Sequence, residues 1–151
     1  MRSLDDIETR IEHLGGAKDA AAAVSELVQL GEEVLEHWLA AHNAAPSDET
    51  REGFRLLALH RQGAKGVPSF NACRETCREL VYHYNLITGD PTHEETSQRL
   101  RLAALVANHL YLFVRGKLEV AELGEFCCSS RPIRAKPDEP QDMQPVEQQG
   151  G

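Results

Sequence analysis

Cys73 and Cys77 in "FNACRETCREL" stand four residues apart, one helical turn, in a chain of 151 residues with only four cysteines. On a helix two such thiols lie side by side, and both sulfurs can reach one ion. A tetrahedral zinc site needs two more ligands. Cys127, Cys128 and His109 are the candidates to supply them, with iron as the other metal such a cluster could hold. A spacing of four departs from the C-x₂-C of knuckle sites, and a buried free cysteine is a common core residue. Vicinal Cys127 and Cys128 point about 100° apart on a helix, so they do not readily share one ion. The pattern therefore favours packing, with no cofactor expected. Metal or redox chemistry through Cys73, Cys77, Cys127, Cys128 and His109 is the alternative.

Periodicity places these residues. Cys73, Cys77, Leu80 and Tyr84 recur at +4, +3, +4, the apolar face of a helix. Leu102, Val106, His109 and Phe113 form a second such stripe, which points His109 inward. Cys127 closes a stripe with Val120 and Leu123.

Other catalytic constellations are missing. No Glu-x-x-His pair occurs, as a di-iron bundle requires. There is no Gly-rich phosphate loop, G-x-S-x-G elbow or H-E-x-x-H. His37 and His42 flank a helix end, where a cationic ring suits the dipole. "LLALHRQGAKG", followed by "CRETCREL", resembles over about a fifth of the chain a histidine phosphotransfer domain. That family sets a lysine and a glycine three and four residues after its histidine. Here His60 is followed by Arg61, Gln62, Gly63 and Ala64, so the lysine is absent and the glycine comes early. The resemblance implies phosphotransfer through His60 as a third reading, against a solvated histidine at a helix end.

The elements that carry these residues read as helices throughout. Leu4, Ile7, Ile11 and Leu14 mark a short first helix, capped by Ser3 and ended by Gly15-Gly16. A longer one spans about 19–43, with Val24, Leu27, Val28, Gly31, Val34, Leu35 and Trp38 on one face and Glu26, Glu32, Glu33 and Glu36 on the other. Pro46-Ser47, Pro68-Ser69 and Pro91-Thr92 each offer a hydroxyl to a first helical turn, and Thr92 with Glu95 forms a capping box. The spacing predicts helices over about 48–62, 70–87 and 93–115, with Gly63, Gly89 and Gly116 at their ends, and a last one over 118–128. The expected fold is all-α, a bundle of four main helices with short N- and C-terminal helices, over residues 1–129. Residues 130–151, with four prolines, four glutamines and no aromatic residue, read as a disordered tail.

Charge is segregated. Residues 1–52 carry twelve acids and four bases, and residues 53–117 carry nine bases and five acids, within a net charge of −8. An acidic whole argues against nucleic acid, whose binding rests on neutralised phosphates. No stretch is long and apolar enough for a membrane span, and the acidic N-terminus has no export signal, so a reducing cytoplasm is expected. The basic middle either faces the acidic second helix or meets an acidic partner, with Arg74, Arg78, Arg99 and Arg101 the expected contacts. The reading that results is a non-enzymatic regulatory or accessory module that binds another protein, itself possibly a homodimer.

Overall fold

The computed structural model describes residues 2–121, and every statement of structure below concerns these. The fold is all-α, with one isolated bridge and no strand. Five helices follow in order: α1 (Leu4–Leu14), α2 (Ala20–Ala41), α3 (Arg55–Ala64), α4 (Arg74–Gly89) and α5 (Thr96–Val120). A 3₁₀ turn (Pro68–Cys73) precedes α4. None of them is long and apolar enough to cross a membrane. One compact unit spans residues 1–117. A second begins at Leu118, and beyond residue 121 it lies outside the described residues, as do the expected end of the last helix and the tail.

The first two helices start as their sequence dictates. Ser3 Oγ accepts from the Asp6 amide at 3.2 Å, and Asp19 Oδ1 from the Ala22 amide at 3.1 Å, each satisfying a donor that the first turn leaves open. Asp5 and Asp6 sit favourably at the positive end of α1. The centre of the unit is α2, which packs against α1, α3 and α4. At Gly31 a β-carbon would stand 3.1 Å from a Leu56 methyl, 3.3 Å from Leu80 and 3.5 Å from Leu110. Helices α3, α4 and α5 thus converge on one glycine of α2, and its missing side chain is what lets them come so close.

Three helix starts differ from expectation. Helix α3 begins at Arg55 rather than 48. Arg51 and Phe54 exchange two backbone hydrogen bonds of 3.0 Å around Glu52 (φ +55°) and Gly53 (φ +85°). This two-residue turn needs positive φ at both central positions, which glycine accepts freely and helix forbids. Ser47 Oγ accepts from the Glu49 amide within the loop instead of capping a helix. Gln62 then pins that loop, accepting from the Ser47 amide and donating to the Ala45 carbonyl. Before α4, Pro68 opens a 3₁₀ turn, and the Ser69 hydroxyl accepts from Lys117. The capping box at Thr92 does not form. Helix α5 starts at Thr96, and the Glu95 amide donates to His93 Nδ1. Gly116, expected at a helix end, lies within α5.

The face of α5 is also corrected. Its buried side is Leu100, Ala103, Ala104, Ala107, Leu110, Tyr111 and Val114, while Leu102, Leu105 and Leu112 are exposed and Val106 and Phe113 half-buried. Three alanines hide the inward stripe from a hydropathy reading. Their small size has a packing role, since a β-carbon on Gly15 would come within 3.2 Å of that of Ala104.

Candidate functional site: a thiol pair under a basic cleft

Trp38, on the last turns of α2, lies face to face with Phe70 of the 3₁₀ turn, ring centroids 4.4 Å apart and planes 13° apart. Its indole nitrogen donates to the Gly63 carbonyl at 3.0 Å. This contact requires Gly63, because a β-carbon there would lie 3.0 Å from the indole and 3.1 Å from the Phe70 ring. Phe70 also meets His60, whose ring lies nearly parallel at 5.6 Å. Rings from α2, the 3₁₀ turn and α3 are therefore packed together through Phe70, which fixes where the histidine stands.

His60 is 5 % exposed, not the solvated helix-end residue that the sequence suggests. Its Nε2 stands 3.3 Å from the Phe70 carbonyl oxygen, and the Cys73 thiol donates to the same oxygen at 3.3 Å. Cys73, the residue capping α4, is 1 % exposed and Cys77 fully buried. Both point inward as their spacing requires, and both are free thiols. The two thiols are close enough to shift each other's titration, and His60, at the same Phe70 carbonyl, is the third member of the cluster.

The electrostatics separate the two thiols. A hydrogen bond from Cys77 holds the Cys73 thiol down to about 6, against the opposing effect of burial, and His60 lowers it further by hydrogen bond and by charge. Cys77 moves the other way, because it shares its proton with a neighbouring sulfur and is buried. Of the two thiols, Cys73 is therefore the one that gives up its proton more readily, at the start of α4 where free amides favour an anion.

Above the cluster opens a cleft of about 480 Å³, lined by Arg51, Arg61, Lys65, Arg74 and Arg78, with Leu57, His60, Ala64 and Asn71. His60 is the shared wall between cleft and thiols. No carboxylate lines the cleft. At its edge Arg78 pairs with Glu52 at 2.6 Å and Arg74 with Glu75 at 3.0 Å, while Arg51, Arg61 and Lys65 form no ion pair among the described residues.

Of the arginines expected to face a partner, Arg74 and Arg78 share this cleft, whereas Arg99 and Arg101 of α5 do not line it. Nor do Arg74 and Arg78 pair with the acidic face of α2. That face is met by Arg2, Arg10 and Arg55.

Of the expected metal ligands among the described residues, His109 does not join Cys73 and Cys77. His109 is exposed on α5, contrary to its expected inward position, because the alanine face is the buried one. Cys127 and Cys128 lie outside the described residues. Among the described residues, no group of three His, Cys, Asp or Glu is placed to hold an ion. No spacing in the sequence signals that Arg51, Arg61 and Lys65 join Arg74 and Arg78, since they come from a loop, a helix and a helix end. Comparison with protein-family models, curated proteins and solved structures finds no significant match to this chain.

Proposed function

We propose that this chain is a non-enzymatic binding module whose cleft between α3 and α4 receives an acidic segment of a partner protein. The observation that carries the reading is the lining of that cleft, five cations and no carboxylate. Three of the five have no counter-charge among the described residues. Cations left unpaired side by side repel one another, and an acidic ligand relieves that repulsion while it speeds encounter. Its affinity should fall steeply with salt, because the charges sit at the surface. Phosphotransfer through His60 finds less support, since the ring is buried against Phe70 and its Nε2 already faces a carbonyl.

The test is fluorescence anisotropy with a labelled glutamate-rich peptide and an uncharged peptide of equal length. The parent should bind only the acidic one, more weakly as salt is raised. Arg61→Glu/Arg74→Glu should lose binding at unchanged melting temperature. Arg99→Glu/Arg101→Glu, outside the cleft, should bind as the parent does. Equal loss in both double variants would point to net charge alone and overturn the proposal.

A further inference from the structure

We propose that Cys73 and Cys77 are a peroxide-reactive dithiol, Cys73 the attacking sulfur and Cys77 the resolving one, which closes to a disulfide within α4. The inference is independent of what occupies the cleft.

Geometry carries it. The β-carbons of residues four apart on a helix stand about 5–6 Å from each other, against about 3.5–4.5 Å across a disulfide, so closing the bond requires the backbone at one end of the pair to move in by roughly an ångström. Each thiol shifts the other's titration, as near neighbours do. Cys73 is at once the last residue of the 3₁₀ turn and the N-cap residue of α4. A 3₁₀ turn is held by less favourable hydrogen bonds than an α-helix, so this sulfur sits on the more yielding side of the junction. Gly66, at φ +78°, bounds the same segment.

The two thiols differ in role because their surroundings differ. Cys73 has His60 and the Phe70 carbonyl beside it, and His60 opens onto the cleft. Cys77 is sealed in the core with Cys73 as its polar neighbour. Size then selects the oxidant. A hydroperoxide the size of hydrogen peroxide can pass the edge of His60, whereas a bulky disulfide such as oxidised glutathione cannot align with a sulfur 1 % exposed.

In the first step the Cys73 thiolate attacks one peroxide oxygen. The O–O bond breaks, a sulfenic acid forms, and the departing hydroxide takes a proton from His60 in its cationic form, or from solvent, to leave as water. In the second step the Cys77 sulfur, giving up its proton, attacks the Cys73 sulfur. The S–S bond forms, the S–O bond breaks, and the hydroxyl leaves with that proton as a second water. Two thiols have lost two electrons and two hydrogens, and one hydrogen peroxide has become two waters.

The test uses the full chain carrying Cys127→Ser and Cys128→Ser, so that only Cys73 and Cys77 remain. After hydrogen peroxide, unfolding and alkylation, the expected product is unalkylated and lighter than the reduced chain by two hydrogens. Oxidised glutathione should leave the folded protein alkylatable at both sites after unfolding. With Cys77→Ala added, dimedone should label Cys73. With Cys73→Ala instead, Cys77 should stay unlabelled while folded, its helicity checked by circular dichroism. His60→Gln should slow peroxide oxidation at least several-fold without changing which product forms. Two free thiols after peroxide, dimedone on Cys77 in preference to Cys73, or equal rates with the bulky disulfide would each overturn the proposal.

Discussion

Along α2, Glu26, Glu32, Glu33 and Glu36 each meet an arginine of the same chain. At the corner of α3 and α4, by contrast, Arg51, Arg61 and Lys65 meet no carboxylate among the described residues. Arg10 grips Glu26 with two hydrogen bonds, of 2.6 and 2.9 Å. Arg55 reaches Glu36 at 2.6 Å and Glu32 at 3.4 Å, and its Nε also donates to the Ser47 carbonyl. The interior differs in the same sense. Beneath the first region lie Ile7, Ile11, Val24 and Leu27, while beneath the second lie an imidazole and two thiols. Charge in the first region is closed within the chain and serves the fold. In the second it is left open over groups able to do chemistry, which is why the candidate site is placed there.

If the corner owes its strength to stacked rings rather than to its charges, Trp38→Ala should be the most damaging single change. It removes the ring under Phe70 and the donor to Gly63, and should cost about 3–5 kcal/mol in urea unfolding, with the loss of binding and of thiol reactivity together. A cost under half of that would show that Phe70 and His60 hold their places without it.

Gly63→Val probes the same stack from the other side. The new methyls would press on two rigid rings that a β-carbon alone would already approach to 3.0 and 3.1 Å. We expect a loss of about 1–3 kcal/mol. A neutral result would mean that the rings can slide.

The thiol pair gives the corner a pH dependence in the neutral range, whereas that of the α1–α2 region lies in acid, where Arg10 holds the Glu26 carboxyl below its ordinary value. Cys73 is held at about 6 in the folded chain, against an ordinary thiol value of 9.0. Between those values the unfolded chain keeps a proton that the folded chain has released, so stability rises with pH across this window. It is lost as pH falls through about 6. Urea midpoints measured at intervals across the window should climb less steeply in Cys73→Ala than in the parent. Parallel slopes would show that the pair does not hold a thiolate.

The smallest effects should separate the two kinds of charge. Arg55→Gln breaks contacts to Glu32, Glu36, Asp48 and the Ser47 carbonyl and should cost about 1–2 kcal/mol. Arg61→Gln/Lys65→Gln, from the open side, should leave the melting temperature unchanged or slightly raised, because it removes repulsion. If both lower it alike, the contrast between closed and open charge fails.

Much of this was legible in the sequence, and the exceptions have physical causes. The first two helices and the inward faces of Cys73 and Cys77 follow from spacing and capping alone. The start of α3 was missed because Glu52, a residue with good helix propensity, sits at positive φ beside Gly53. The hydroxyls at Ser47 and Thr92 suggested caps, but each lies in a loop whose own hydrogen bonds compete. His109 was misplaced because leucine outweighs alanine in any hydropathy stripe. Helix α5, however, needs small residues where it packs close.

By itself the sequence determined that this chain is helical, where α1 and α2 begin, and which face of α4 carries the thiols. Those are local matters, settled by periods of three and four residues and by a few side chains that satisfy the free amides of a first turn. Only the tertiary structure decided that His60 leaves solvent to join Cys73 and Cys77, and that five cations from separate segments line one cleft. Proximity between residues far apart in the chain depends on how rings and glycines let helices approach. Trp38, Phe70 and Gly63 set that approach together, and no one segment of the sequence contains all three.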